Sequence, residues 1–374
     1  MDIIIQQDRF LKTLNFIQGV SDRKSVMPVL SYFLLQSLSE DKIEVFATDL
    51  DMGLTVKTEA EVRAPGAMLL PSKKLFSIVH ELPKKSIRIS TSKMEGWCDV
   101  ICEKSRFKLP YRDVKSFPKK PDFPEEFSNL LPPEVLLSTL DKTLFAAAKE
   151  DVRYALNCIF MEKKPEATRV VATDGYRLAQ TDLGILKDLK LDEPIMIPKR
   201  GMMELKRTLD RAKAELVRFD VKDKNAYFQM EDVEMFIRLT EGDYPDYEQV
   251  IPKMGGQKIY LNRWDLITGL RRVSRIANDM DEGAKFTFKE RELNLEMGNA
   301  DAGIANETIN TSYIGETIVT AFNYRYCLDV LGAIEEEEVE VELTEGDHPS
   351  VFRGKDNKET FYLIMPINIE EERA

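Results

Sequence analysis

One pattern recurs three times along the chain of 374 residues, and this internal repeat limits the fold more than any single motif does. Each copy has a short apolar strand, a breaker residue and then apolar residues at helical spacing. The breakers are Pro71, Pro198 and Asn323, which lie 127 and 125 residues apart. Because the spacing is nearly constant, we interpret the pattern as a repeated domain.

A second marker gives the same period. An alternating strand that ends in an acidic turn places Asp49, Asp174 and Asp301 at separations of 125 and 127 residues. Amphipathic helices are also indicated, because apolar residues recur at i, i+3, i+4 and i+7 in residues 10–17, 136–144 and 264–270. We therefore predict an α+β fold of three repeated domains, each with two helices packed on antiparallel sheets.

Breaker-rich segments give the predicted boundaries. Residues 115–124 are rich in proline, and residues 252–257 combine proline with paired glycines. Together with the period, they predict domains at residues 1–121, 122–253 and 254–374.

Composition excludes several protein classes. Apolar residues make up 43% and charged residues 32%, as in globular proteins. The four cysteines form no C-x-x-C pair and only two histidines are present, so we expect no metal and no cofactor. The N-terminus lacks a signal-peptide pattern and no stretch reaches the length of a membrane span, which predicts a cytoplasmic protein.

Charge is distributed unevenly. The formal net charge is −12, which argues against a general affinity for nucleic acid. The six helical windows nevertheless contain 21 basic and 13 acidic residues, which leaves 32 basic and 52 acidic residues elsewhere. A solvated helix face explains any one window, but the bias over several helices indicates a basic surface for phosphates.

No catalytic motif is convincing. Asp49 and Asp51 follow an apolar strand and suggest the D-x-D pair of a phosphotransferase, but the other repeats do not keep the second aspartate. Phosphate-binding glycine loops, G-x-S-x-G and H-E-x-x-H are absent from the sequence. We therefore predict a protein that is not an enzyme, with a phosphotransferase and a protein-binding repeat scaffold as the alternatives.

Several motifs together resemble the bacterial β sliding clamps, the β subunits of DNA polymerase III. The similarity runs from Met1 to about Ile369. The motifs are Ala-Thr-Asp-Gly-Tyr-Arg-Leu-Ala at 172–179, Asp-Val-Arg-Tyr at 151–154, Leu-Asn at 156–157, Tyr-Pro-Asp-Tyr at 244–247 and Leu-Ile-Met-Pro-Ile at 363–367.

The resemblance implies the DNA clamp fold and a head-to-tail homodimeric ring around duplex DNA, bound without regard to base sequence. It implies a hydrophobic pocket for peptides of the polymerase III catalytic subunit, the clamp loader, other polymerases and repair proteins. By the resemblance, the pocket comprises Leu156, Thr173, Gly175, Tyr176, Arg177, Leu178, Pro245, Val250, Asn323, Tyr326, Ser350, Leu363, Met365, Pro366 and Ile367.

The resemblance also implies DNA-facing residues, namely Lys24, Lys73, Arg153, Tyr154, Lys199 and Arg200. Two positions depart from the family pattern. Tyr176 stands where a histidine is more usual, and Gln249 stands where an arginine is common. Peptide preference is therefore expected to differ in detail.

Overall fold

The structure is a computed structural model that describes residues 1–21, 27–252, 256–277, 282–299, 303–344 and 348–367. Lys24 and Asp301 lie outside the described residues, as does the predicted boundary between residues 253 and 254.

The strands follow in chain order. The first third contains β1 (Asp2–Gln6), β2 (Tyr32–Ser37), β3 (Lys42–Thr48), β4 (Met52–Glu59), β5 (Glu61–Ala64), β6 (Ala67–Pro71), β7 (Ser86–Thr91), β8 (Trp97–Cys102) and β9 (Ser105–Pro110). The middle third contains β10 (Asn129–Leu131), β11 (Cys158–Lys163), β12 (Thr168–Thr173), β13 (Arg177–Leu183), β14 (Ile195–Pro198), β15 (Val217–Lys222), β16 (Asn225–Met230) and β17 (Val233–Arg238). The last third contains β18 (Gln257–Asn262), β19 (Gly283–Lys289), β20 (Glu292–Asn299), β21 (Gly303–Asn310), β22 (Ile318–Asn323), β23 (Glu338–Leu343), β24 (Ser350–Gly354) and β25 (Thr360–Ile364).

Each third of the chain has two α-helices in its described residues. They are α1 (Gln7–Ile17), α2 (Ser72–Glu81), α3 (Pro133–Thr143), α4 (Lys199–Ala212), α5 (Arg263–Val273) and α6 (Tyr324–Ala333). The order strand, helix, three strands, strand, helix, three strands occurs in every third, and β5 is an addition to the first. The predicted α+β repeat is therefore confirmed.

Local signals explain where helices begin. The helices α2, α4 and α6 start directly after the breakers Pro71, Pro198 and Asn323. The Asn323 carboxamide oxygen accepts hydrogen bonds from the backbone N–H groups of Arg325 and Tyr326, as an N-cap does. Such a cap satisfies donors that the first helical turn leaves without a helical partner.

The chain divides into two compact units, which differ from the repeats. Unit 1 is Met1–Leu137 with Arg200–Leu239, and unit 2 is Ser138–Lys199 with Thr240–Ala374. The difference arises because strands of successive repeats pair within one sheet. Each unit therefore contains one seam, defined here as the strand pair that joins two repeats.

Unit 1 contains two sheets with the strand orders β5-β1-β7-β8-β9 and β10-β15-β16-β17-β4-β3-β2-β6. Its seam is the antiparallel pair of β17 and β4, which sets Met235 opposite Leu54. Aromatic rings fill the core beside this seam, with Phe46 and Phe117 in edge contact at 5.8 Å between ring centroids. The helix α1 packs on α2 and against β3 and β4.

Unit 2 also contains two sheets, with the strand orders β14-β11-β12-β13-β25-β24-β23-β18 and β21-β20-β19-β22. Its seam is the antiparallel pair of β13 and β25, which sets Leu178 opposite Leu363. The last strand ends at Ile364, two residues before Pro366, and Ile367 is 39% exposed. This ending follows from the proline, which has no N–H for a ladder hydrogen bond.

Candidate functional site

A groove in unit 2 opens where the seam strand β13 begins and its partner β25 ends. Its volume is about 140 Å³, close to the roughly 150 Å³ of an engineered cavity that binds benzene, so it accommodates one large apolar side chain. The groove is lined by Arg153, Leu156, Thr173, Gly175, Tyr176, Arg177, Leu178, Pro245, Asp246, Tyr247, Val250, Pro349, Leu363 and Met365.

The turn between β12 and β13 forms one wall. The Thr173 hydroxyl donates to the carbonyl of Arg177 at 2.6 Å and accepts from the N–H of Gly175 at 3.1 Å. The Asp174 carboxylate accepts from the N–H groups of Tyr176 and Arg177, both at 3.0 Å. Gly175 has φ +90°, a conformation that glycine adopts without steric strain. These bonds hold the turn while Tyr176 remains 63% exposed.

The floor of the groove is part of a buried apolar cluster. Leu178 and Leu363 face each other across the seam and pack with Tyr247. The ring of Phe160 stacks on that of Tyr244 at 4.6 Å beneath them. Because close-packed side chains resist displacement, the floor is preformed for an apolar anchor.

The Tyr247 hydroxyl is held by hydrogen bonds to two charged side chains. It donates a hydrogen bond to Glu162 and accepts one from Arg169 at 3.4 Å. Burial raises the pKa of Tyr247 to about 12, so the hydroxyl stays neutral at physiological pH. The ring therefore contributes an uncharged surface to the groove.

Arg177 connects the groove to the last helix. Its guanidinium lies 4.3 Å from the ring centroid of Tyr326 and 5.2 Å from that of Phe145. It also pairs with Asp329 at 2.6 Å and with Asp174 at 3.0 Å. An arginine side chain that is 11% exposed and held by four partners acts as a fixed wall.

The rim carries a second arginine. Arg153 makes a two-pronged contact with Asp151 at 3.0 and 2.9 Å, and its hydrogen bonds lower the pKa of that carboxyl to about 2. Asn157 and Asp151 exchange hydrogen bonds at 2.8 Å, which fixes the loop. This arrangement places Arg153, predicted to face DNA, beside Gly175 in the groove wall.

Five residues predicted for the pocket do not line the groove. Asn323 caps α6 and donates to Glu282 at 2.7 Å, while Tyr326 lies behind Arg177. Ser350 is buried in β24, and the Ile367 N–H donates to the carbonyl of Ala321. Pro366 lies between the groove residue Met365 and Ile367.

Four lining residues were absent from the set predicted for the pocket, and one of them is Arg153, which was predicted to face DNA. Asp246 and Tyr247 belong to the Tyr-Pro-Asp-Tyr motif, so the signal for them was present. Pro349 lies just before β24 and gave no signal of its own.

The other predicted DNA-facing residues differ in exposure. Lys73 is exposed on α2, and Tyr154 is 76% exposed. Lys199 is half-buried, donates to the carbonyl of Ala147, and has a pKa lowered by burial. Arg200 forms an ion pair with the buried Asp49 at 2.8 Å.

Asp49 has a structural role that the phosphotransferase hypothesis did not include. Its carboxylate accepts from the N–H groups of Asp51 and Met52 at 3.1 and 2.9 Å and closes the turn before β4. Burial raises the pKa of Asp49. No group of three or more potential metal ligands occurs among the described residues. Within that part of the chain, Asp49 and Asp51 have no third potential metal ligand beside them.

Models of one protein family match the chain in three successive parts. The N-terminal domain of the DNA polymerase III beta subunit matches residues 1–121, the central domain residues 130–246 and the C-terminal domain residues 248–368. In the part of the chain that the structure describes, no helix combines the length and apolar character needed to cross a membrane.

Relatives and solved structures agree over the full length. The beta sliding clamp of Pseudomonas aeruginosa is 29% identical and that of Escherichia coli 27%, each over 99% of this chain and all of the relative. The crystal structure of the Pseudomonas aeruginosa DNA polymerase III subunit beta superposes with a TM-score of 0.91 at 29% identity. A Bartonella birtlesii sliding clamp bound to griselimycin gives 0.92 at 29% identity. Both structural matches cover 99% of this chain and 100% of the other.

Proposed function

The chain belongs to the DNA polymerase III beta subunit family, the bacterial β sliding clamps, and on this premise we propose that two copies close into a ring around duplex DNA. Its function is that of a DNA sliding clamp, a processivity factor and not an enzyme. In the proposed ring, the unit 2 groove holds peptides of the polymerase III catalytic subunit, the clamp loader, other polymerases and repair proteins.

The groove is the observation that carries the proposal. It combines a preformed apolar floor with exposed backbone at the Gly175 turn, which suits a short peptide with an aliphatic or aromatic anchor. A related sliding clamp is known in a complex with griselimycin, which supports ligand binding by this fold. Tethering through such a peptide raises the effective concentration of a polymerase at the primer end, so a weak contact suffices.

Peptide binding is tested by changing Met365, which lines the groove and is 36% exposed. A labelled peptide with a central Leu-Phe pair should bind Met365→Ala about 5- to 30-fold more weakly, because truncating an anchor contact costs roughly 1–2 kcal/mol. The matched control is Met203→Ala on α4, which is 41% exposed and lies outside the groove. Equal affinities for both variants in fluorescence anisotropy would argue against this groove.

Two free sheet edges support closure by a second copy. In the described residues, β9 has a neighbour only on its β8 side and β21 only on its β20 side. In the repeated order, β9 corresponds to β17 and β25, whereas β21 corresponds to β4 and β13. These counterparts pair with each other in the two seams. The remaining pair, β9 with β21, is therefore the contact that we assign to the head-to-tail dimer.

The seam register indicates how the two edges would align. Glu103 and Glu231 both have φ +48° at the tips of corresponding hairpins, which aligns Phe107 with Met235. Transferring the unit 1 arrangement then sets β9 antiparallel to β21 of a second chain.

Binding to duplex DNA is supported by the basic bias of the helical windows within an acidic chain. Lys73 is exposed on α2, and contacts to phosphates carry no sequence information, so a ring can slide. We keep Lys24, Lys73, Arg153, Tyr154, Lys199 and Arg200 as the proposed DNA contacts. The proposed location is the cytoplasm.

Retention on DNA of different topology tests the ring. Protein loaded by a clamp loader onto nicked circular duplex should co-elute with the DNA in gel filtration and be lost after a restriction enzyme linearises the circle. Persistence on linear DNA would mean that affinity, not topology, holds the protein. Failure to be retained on either form would favour a protein-binding scaffold.

The proposed domain boundaries remain 1–121, 122–253 and 254–374. They are supported by the repeated element order and by three family models that end or begin near them.

A further inference from the structure

A second groove lies in unit 1, at the position that the repeat relates to the first groove. Its volume is about 260 Å³, and residues of the first two repeats line it. Leu50, Pro118, Pro121 and Phe236 form its apolar part. The two grooves share their construction.

The turn before β4 repeats the turn before β13. The Thr48 hydroxyl donates to the carbonyl four residues later at 2.7 Å, and the Thr173 hydroxyl makes the same bond at 2.6 Å. The N–H of Leu50 donates to Thr48 at 3.0 Å, as that of Gly175 donates to Thr173 at 3.1 Å. Both turns therefore present the same hydrogen-bonded backbone to their grooves.

The floor and the far wall correspond as well. Phe236 lies in β17 at the seam of unit 1, where Leu363 lies in β25 at the seam of unit 2. Pro118 stands 127 residues before Pro245, and each proline lines its groove. The unit 1 seam thus builds a floor of the same kind as the unit 2 seam.

Charge distinguishes the two grooves. Lys119, Lys224 and Arg238 line the unit 1 groove and are exposed, against one carboxylate from Asp223. This cationic rim lies on a chain whose formal net charge is −12, so it is a local feature and not a general one. Charge complementarity favours an anionic occupant at this position.

Leu50 adds an apolar contact at the mouth of the groove. It takes the place of Gly175, has φ +83° and is 45% exposed. A leucine in this left-handed region carries backbone strain that a glycine would avoid. The Leu50 side chain is not buried in a hydrophobic core, since nearly half of it remains accessible to solvent.

We propose that the unit 1 groove is a second peptide site, which takes an extended segment of a partner protein with an apolar side chain flanked by carboxylates. The apolar side chain packs on Phe236 and Leu50, and the carboxylates pair with Lys119 and Arg238. The inference rests on the proposed function, because the unit 1 groove is interpreted as a peptide site by its correspondence with the unit 2 groove.

The test uses the full-length protein and a fluorescein-labelled peptide in which one leucine stands between pairs of aspartates. The double variant Lys119→Glu with Arg238→Glu should bind this probe about tenfold more weakly or worse, since each reversal replaces attraction by repulsion. The control Lys93→Glu with Lys163→Glu makes the same charge change at exposed positions outside both grooves and should bind normally. A probe with asparagines in place of the aspartates should bind weakly to every protein.

Competition separates this site from the first groove and from simple anion binding. The Leu-Phe peptide should not displace the acidic probe, and inorganic phosphate at equal ionic strength should not displace it either. Displacement by the Leu-Phe peptide would place the probe in the unit 2 groove, and displacement by phosphate would reduce the site to an anion site. Equal loss in the control variant, or no binding at low salt, would also overturn the proposal. Binding of the Leu-Phe peptide is measured separately and reports only on the proposed function.

Discussion

Phe107 allows a quantitative test of the proposed dimer. It lies in the free edge strand β9 and is 36% exposed, while its counterparts at the two seams, Met235 and Tyr362, are 0% and 1% exposed. Burying the remaining third of a phenylalanine of about 200 Å² removes roughly 70 Å² from water, worth about 1.8 kcal/mol at 25 cal/mol/Å². A two-fold ring contains this contact twice, so the two phenylalanines together contribute about 3.6 kcal/mol to the free energy of dimerisation.

Phe107→Ala should therefore raise the dimer dissociation constant by about 400-fold. The entropic cost of association is the same for variant and parent, so it cancels in the comparison. Sedimentation velocity over a concentration series measures the constant, and circular dichroism verifies that the variant is folded.

The control for Phe107 is Ile185→Ala. Ile185 is 70% exposed in a short turn of unit 2, away from the free edges, and its replacement should leave the dissociation constant unchanged. A dissociation constant for Phe107→Ala within about threefold of the parent value would refute the edge-strand reasoning. A parent protein that sediments as a monomer at all concentrations would refute the ring itself.

Three further predictions concern stability. Burial raises the pKa of Glu204 in the folded state, so the folded protein holds this proton more tightly than the unfolded chain does. The stabilisation from the protonated carboxyl is fully present at low pH and is lost as the pH rises through the folded-state pKa. Glu204→Gln should consequently raise Tm by about 2 °C near pH 8 and leave it unchanged near pH 4; an equal shift at both pH values would contradict this. Gly201→Ala places a methyl group 2.5 Å from the buried Ile237 and should lower the free energy of unfolding by about 1–2 kcal/mol in urea titration, whereas Gly332→Ala, with open space around it, should not. Arg177→Lys removes a planar cation from between two rings and should lower the same free energy by about 1–2 kcal/mol; an unchanged urea midpoint would show that the stacking adds nothing.

Part of the candidate site was predictable from the residues. The Thr173–Arg177 turn contains a threonine, an aspartate and a glycine at positions where their side chains or backbone freedom close such a turn locally. Tyr247 belongs to the Tyr-Pro-Asp-Tyr motif, yet its place in the floor depends on packing against residues distant in sequence. Local chemistry predicted the turn, and only the fold showed what the turn faces.

Other expectations depended on the resemblance to the family, and for these residues the structure adds contacts that the motifs did not indicate. Arg153 was expected to contact DNA, which stays a prediction, and the structure shows in addition that it lines the groove and pairs with Asp151. Tyr326 was expected in the pocket, which stays a prediction, and in the structure its ring contacts the groove residue Arg177. A shared motif indicates that residues act together, but it does not say which surface each one presents.

The sequence by itself determined the period, the alternation of strands and helices in each repeat, and the proline or asparagine directly before each second helix, because these depend on residues close together in the chain. Only the tertiary structure decided that β17 pairs with β4 and β13 with β25, which places the grooves and, in the described residues, leaves β9 and β21 at sheet edges. The reason is that backbone hydrogen bonding at a sheet edge is almost independent of side-chain identity. Several strands of a repeat present the same pattern of donors and acceptors, and the packing of whole domains selects among them.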